Sequence, residues 1–237
     1  MVRATHGERA AAIRHYSGAA GERYYAYQSR DVELMAEHVA GKFSPFVRET
    51  DVVVDFGCGG GTLLRTLRCS RRIGVEINPA ARHVAEKSGL ACFGSLSEIP
   101  DATVDVAISH HSLEHVASPL RALIELQSKL KPRGVLLVVV PIDDWRVQSR
   151  YDRGDPNHHL YTWTPLLLGN LLDEAGFDVS TLATTIGVNG WFGMFPRLQA
   201  KLPKSVARML LRIWASIRKT REIRAMVRTP AREAEQE

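Results

Sequence analysis

The chain has little cysteine, and what it has shows no pairing pattern. Cys58, Cys69 and Cys92 are the three cysteines in 237 residues. An odd number without C-x-x-C spacing excludes a disulfide-framed scaffold and leads us to expect a reducing, cytoplasmic compartment. Long hydrophobic runs are absent too. The longest strongly apolar stretch, Val135 to Val140, is far below the roughly 18 residues that a membrane span needs. The N-terminus, Met1-Val2-Arg3-Ala4-Thr5-His6, lacks the apolar core of a secretion signal. There is no internal repeat and no low-complexity tract. Apolar residues make up 45% and charged residues 24%, which is enough to bury a core and excludes a disordered chain.

The net charge of +5 would suggest a polyanion-binding protein if it were spread evenly. It is not. Residues 201–237 hold ten Lys/Arg against four Asp/Glu, so the first 200 residues are close to neutral. Within this tail Val206, Leu210, Ile213 and Ile217 recur at helical spacing beside Arg208, Arg212, Arg218 and Lys219. That pattern predicts a basic amphipathic helix. Packing on the domain is its first reading, peripheral contact with an anionic membrane the second. Nucleic acid is not expected, because no recognition motif accompanies the charge.

From about Asp51 to Thr185 short β-branched runs alternate with helix-length segments. Strands are predicted at Val52–Val54, Arg72–Glu76, Leu90–Phe93, Val104–Ser109, Gly134–Val140 and Phe177–Thr184. Helices are predicted from Thr62, over Asn78–Ser88 with Pro79 at the first position, over Pro119–Leu130, and over Thr164–Ala175 with Pro165 at the first position. Runs that are apolar on both faces, separated by helices, predict a doubly wound, Rossmann-like α/β domain: a mostly parallel sheet with helices on both faces. No clear final strand follows Thr184. The organisation expected is a helical cap over 1–50, a cofactor-binding domain over 51–185, and an aromatic segment with the basic tail over 186–237. The connection from Pro141 to Trp163 is long for a compact domain and carries Asp143, Asp155, His158, His159 and Tyr161, which marks it as functional or mobile.

Asp55-Phe56-Gly57-Cys58-Gly59-Gly60-Gly61 follows the first strand and opens a helix. Gly57, Gly59 and Gly61 allow a sharp turn and a ligand's close approach, and Cys58 is a small residue that fits it. The spacing is not the G-x-G-x-x-G of dinucleotide sites. The acid in front would repel a pyrophosphate but suits a cofactor with an ammonium group. Glu76 ends the second strand, where a carboxylate can accept hydrogen bonds from vicinal ribose hydroxyls.

With this loop, Gly74-Val75-Glu76-Ile77-Asn78-Pro79, Val104-Asp105-Val106-Ala107-Ile108-Ser109-His110-His111-Ser112-Leu113-Glu114-His115-Val116 and Leu130-Lys131-Pro132-Arg133-Gly134-Val135-Leu136 in order, the chain resembles the class I S-adenosylmethionine-dependent methyltransferases. The resemblance covers roughly Val52 to Thr185. It implies S-adenosylmethionine as cofactor, with Asp55 and Gly57 by its methionine moiety and Gly59 and Gly61 permitting close approach. It further implies Glu76 on the ribose and Ile77 on the adenine. Ser95 and Leu96 follow the third strand, where Ser95 replaces an Asp common in the family and leaves backbone contacts to serve the adenine. His110 should face both cofactor and substrate.

If the acceptor is a hydroxyl, a base is needed, and His110, His158 and His159 are the catalytic candidates. The acceptor implied is a small molecule, with a lipid- or sugar-linked one suiting Trp191, Phe192, Phe195 and the basic tail. Two other readings stand beside this one. His111-x-x-Glu114-His115 matches a zinc-hydrolase signature, but that reading leaves the glycine loop unaccounted for, and no metal is expected. A non-catalytic methyltransferase-like binding subunit would fit the Ser95 departure, against which Asp55 and Glu76 count.

Overall fold

The computed structural model describes residues 15–29, 32–143, 146, 148–188, 201–203, 205, 206, 209, 210, 213 and 221–231. Trp145, Trp191, Phe192, Phe195 and the tail residues Arg208, Arg212, Ile217, Arg218 and Lys219 lie outside them. The described tail positions Ser205, Val206, Met209, Leu210 and Ile213 are helical.

Seven strands form one sheet: β1 (Val52–Phe56), β2 (Arg71–Val75), β3 (Ala91–Phe93), β4 (Val104–His110), β5 (Leu130–Ile142), β6 (Asp178–Val188) and β7 (Arg221–Arg228). Their order is β3-β2-β1-β4-β5-β7-β6. The first five are parallel, and β7 runs antiparallel to both neighbours. The described residues include the helices α1 (Gly18–Gln28), α2 (Val32–Ala40), α3 (Thr62–Thr66), α4 (Pro79–Lys87), α5 (Pro119–Lys129) and α6 (Pro165–Glu174). Two helix starts follow their local chemistry closely. The Asn78 side chain accepts from the Ala80 amide and the Thr164 side chain from the Leu167 amide, each with proline in the first turn.

Alternation along the strands divides the core in two. Val54, Ala107, Leu136 and Val138 face Leu123 and Leu126 of α5 and Leu168 and Leu172 of α6. Val53, Val106, Ile108 and Val139 face Met35 and Val39 of α2, Leu64 of α3 and Ala85 of α4. The described part of the first fifty residues carries α1, α2 and a 3₁₀ turn at Ser44–Phe46, and it is tied to the sheet domain by polar contacts. Asn78 Nδ2 donates to the Gly21 carbonyl at 2.9 Å, and Thr62 Oγ1 to Glu33 at 2.9 Å.

The structure corrects the reading of the C-terminal segment. A final strand does follow Thr184: β6 continues to Val188, and β7 inserts between β5 and β6. The sheet therefore extends past the 185 boundary into the segment read as a tail. The strand hides in a basic run because its inward positions, Ile223, Ala225 and Val227, alternate with Arg224, Met226 and Arg228. Three arginines in eight residues look like tail charge, although every second side chain is core.

Candidate active site

The carboxyl ends of β1, β2, β4 and β5 converge on one edge of the sheet, where open α/β sheets bind ligands. The turn after β1 is held by Gly57 and Cys58, whose amides donate to the Val75 carbonyl at 2.8 and 3.2 Å. Gly57 and Gly61 have φ of +80° and +78°, a backbone region that favours glycine. A Cβ on Gly57 would collide with the Ser112 side chain, and one on Gly61 with Leu90. Glu76 clamps this turn: its Oε2 accepts from the Gly59 amide at 2.8 Å and its Oε1 from the Asn78 amide at 2.7 Å.

Two cavities open here. One, of about 210 Å³, is lined by Asp55, Gly59, His110, Glu114, His159 and Arg221 among others. The other, of about 520 Å³, is lined by Glu76, Ile77, Ser95, Leu96 and Ser97 among others. Gly57, Gln28, His111 and His115 border both.

A buried ionic cluster underlies the first cavity. Lys42 Nζ lies 2.8 Å from Glu222 Oε2 and 3.0 Å from His110 Nε2. Glu222 also accepts from Arg224 Nε at 2.8 Å and lies 3.4 Å from His111 Nε2. Burial alone would raise the Glu222 carboxyl, but His111 and Lys42 hold it down to about 2. Burial, then the Lys42 charge, pushes His110 well below the usual histidine range. Next along the wall stands Glu114, wholly buried, with neither carboxyl oxygen hydrogen-bonded. Its Oε1 is 3.8 Å from His111 Nδ1 and 3.9 Å from His115 Nε2. Burial raises Glu114 and lowers His115 to about 3.

The long connection after β5 closes this wall. The Leu160 amide donates to the Glu114 carbonyl at 2.8 Å, and the Tyr161 hydroxyl to the Ala117 carbonyl at 2.9 Å. His159 is thereby brought beside Glu114, and its Nδ1 is 2.8 Å from Asp143 Oδ2. Burial pulls the His159 imidazole down, yet Asp143 raises it above its usual value.

The family model described as "Methyltransferase domain" matches residues 26–182. The chain belongs to the methyltransferase family. It is a class I S-adenosylmethionine-dependent enzyme. Among curated relatives, "Probable methyltransferase ltbC" of Aspergillus luteorubrus is 29% identical over 193 residues, covering 64% of this chain and 67% of that one. The "Ubiquinone biosynthesis O-methyltransferase" of Cereibacter sphaeroides is 30% identical over 125 residues, covering 45% of this chain and only 49% of its own length. Among solved structures, phosphoethanolamine N-methyltransferase 2 of Haemonchus contortus, holding S-adenosylmethionine, superposes with a TM-score of 0.60 at 12% identity. It covers 84% of this chain and 52% of that one. The methyltransferase fold is what that likeness shows.

The residues of this methyltransferase fit its cofactor on three counts. Asp55 is 2% exposed and its Oδ1 has no partner, a buried acceptor awaiting a donor. Burial, then the nearby Glu76, raises the Asp55 carboxyl to about 8, so a cation brought beside it would favour its ionised form. Ile77 exposes 45% of its surface into the second cavity, an apolar face for a flat ring.

Of the residues singled out in the sequence, Asp55, Gly57 and Gly59 border the first cavity and Glu76, Ile77, Ser95 and Leu96 the second. Gly61 instead caps α3 behind the loop. Ser95 Oγ accepts from the Ser97 amide, and the Ser95 amide donates to Glu98, so Ser95 serves as a local cap. His110 and His159 reach the first cavity. His158 reaches neither: it is exposed and stacks on His15 with ring centroids 4.5 Å apart. The H-x-x-E-H stretch does not form one helix face, because Leu113–His115 is a single 3₁₀ turn and His111 has φ of +52°. Lys42 and Glu222 carried no signal in sequence, since they stand 180 residues apart.

Proposed function

We propose that the enzyme methylates a hydroxyl group of a small molecule held in the first cavity, with His111 accepting the hydroxyl proton. The observation that carries this reading is the position of His111. It borders both cavities and stands between Glu222 and Glu114, at 3.4 and 3.8 Å, and either carboxylate would stabilise the imidazolium that proton transfer creates. His110 is the weaker base, because Lys42 occupies its Nε2. An O-methyltransferase among the relatives supports an oxygen acceptor.

Bound S-adenosylmethionine supplies an electrophilic methyl group on a sulfonium. Asp55 would pair with its ammonium group, Glu76 would accept from the ribose hydroxyls, and Ile77 would pack on the adenine. Tyr25, Tyr27, Val32 and Leu63 give the first cavity an apolar wall that excludes water and orients an acceptor.

No helix among the described residues is long and apolar enough to cross a membrane. Met209, Leu210 and Ile213 expose 54%, 42% and 51% of their surface, which supports peripheral contact with anionic lipid. Flotation with phosphatidylserine vesicles would show that contact, and its absence at low salt would refute it.

The function is tested by incubating the enzyme with methyl-labelled S-adenosylmethionine and matched panels of small phenols, alcohols and amines. Label is expected in hydroxylated acceptors. Transfer to amines alone would overturn the hydroxyl assignment.

A further inference from the structure

Among the described residues, two groups of three side chains bring nitrogen or carboxylate atoms close enough to share a metal ion: His110, His111 and Glu222, and Glu114, His115 and His159. Their surroundings differ. In the first group Glu222 is already met by Lys42 and Arg224, each at 2.8 Å, and Lys42 also occupies His110. A divalent cation there would sit against two fixed positive charges.

In the second group no lysine or arginine among the described residues pairs with the carboxylate, and the positive influences on Glu114 are the imidazoles of His111 and His159. Glu114 is wholly buried with neither oxygen hydrogen-bonded, and the His115 nitrogen that faces it, Nε2 at 3.9 Å, also lies 3.4 Å from the Tyr24 hydroxyl. A buried carboxyl in this state is unfavourable as an anion unless a proton or a ligand satisfies it. The orientation of His159 suits it to join Glu114 around such a ligand. Asp143 takes its Nδ1 at 2.8 Å, leaving Nε2 as the nitrogen that can ligate. A carboxylate on the far nitrogen of a ligating histidine is a recurrent support of metal sites. The main-chain bond from Leu160 to Glu114 at 2.8 Å holds the loop ligand against the other two.

The geometry points to a divalent transition-metal site formed by Glu114, His115 and His159, with Asp143 as positioning residue. Two imidazoles and one carboxylate suit zinc, iron(II), cobalt(II) or nickel better than magnesium or calcium, which prefer all-oxygen sites. Three protein ligands leave a coordination position open. All three line the first cavity. The next step rests on the proposal that a hydroxyl acceptor is held there: a metal bound by these residues would polarise its oxygen and ease loss of its proton.

The site is tested on the full chain, stripped with a chelator and dialysed, by calorimetric titration with zinc alone and by the visible spectrum after cobalt(II) addition. One equivalent should bind, with cobalt(II) bands of low-coordinate nitrogen and oxygen ligation. His159→Ala should weaken zinc by more than about 100-fold and Asp143→Ala by about 10- to 100-fold. His158→Ala, next in sequence but outside the cavity, should leave affinity unchanged. Glu114→Gln should abolish binding; if that variant fails to fold, His159→Ala decides alone. S-adenosylhomocysteine affinity, measured in parallel, should persist in His159→Ala, so that loss of the metal site is distinguished from loss of the cofactor site. Absence of stoichiometric binding, or binding that survives His159→Ala, would overturn the proposal.

Discussion

Lys42 Nζ lies 2.8 Å from Glu222 Oε2, and the two side chains are 3% and 0% exposed. This pair joins the segment after α2 to β7, the strand that completes the sheet, directly beneath the first cavity. Removing Lys42 takes away the buried cation on Glu222 Oε2 and leaves the carboxylate to Arg224 and His111. Lys42→Met is therefore expected to destabilise the fold by about 1–3 kcal/mol, less than for a charge left wholly unpaired, measured by urea denaturation. Acid should act in the same direction. Glu222 is held at about 2 against an ordinary 4.5, so its stabilisation is complete above pH 4.5 and is lost as pH falls towards 2. An unfolding free energy that stays level over that interval would exclude the pair as a source of stability.

Ending the chain after Ala200 removes β7, which pairs with β5 from Val135 to Ile142 and with β6. Ile223, Ala225 and Val227 leave the core with it. This truncation should abolish cooperative unfolding followed by circular dichroism. A folded product that still bound S-adenosylhomocysteine would mean that β7 is dispensable.

Asp55 gives the opposite pH dependence. Its carboxyl is raised to about 8 from 3.8, so between these values the folded chain keeps a proton that the unfolded chain has released. Stability from this group is fully present below about pH 4 and declines as pH rises towards 8. Asp55→Asn should flatten that decline and be the more stable protein at about pH 8, while binding cofactor less well. Pairing with the cofactor's ammonium would lower the carboxyl. Binding of S-adenosylhomocysteine at about pH 7 should then release close to one proton, read from calorimetry in buffers of different ionisation enthalpy. Equal heats in all buffers would remove Asp55 from the ammonium site.

His111→Ala should lower kcat by about 100-fold or more, the contribution expected of a positioned base, with little change in S-adenosylhomocysteine affinity. If kcat were preserved, alignment alone would account for the rate.

The turn from Asp55 to Gly61, Glu76, and the Asn78 and Thr164 caps were legible in sequence because each follows from residues a few positions apart. The remainder depended on distance. Arg221, Arg224 and Arg228 disguised β7 as tail, since the buried alternate positions become visible only beside β5. Glu114, His115 and His159 form one cluster because the Leu160 amide bonds to the Glu114 carbonyl, a contact that no local pattern encodes. His158 and His159, adjacent and alike in sequence, are separated by the backbone turn that aims only one of them into the cavity.

The most direct test is calorimetric titration of the wild-type chain and of Glu76→Ala with S-adenosylhomocysteine. Wild type should bind one equivalent, and Glu76→Ala should bind about 10- to 100-fold more weakly, the loss of charge-assisted hydrogen bonds worth roughly 1.5–3 kcal/mol. No heat from wild type at millimolar ligand, or equal affinity in the two proteins, would contradict the assignment of this sheet edge as the cofactor site.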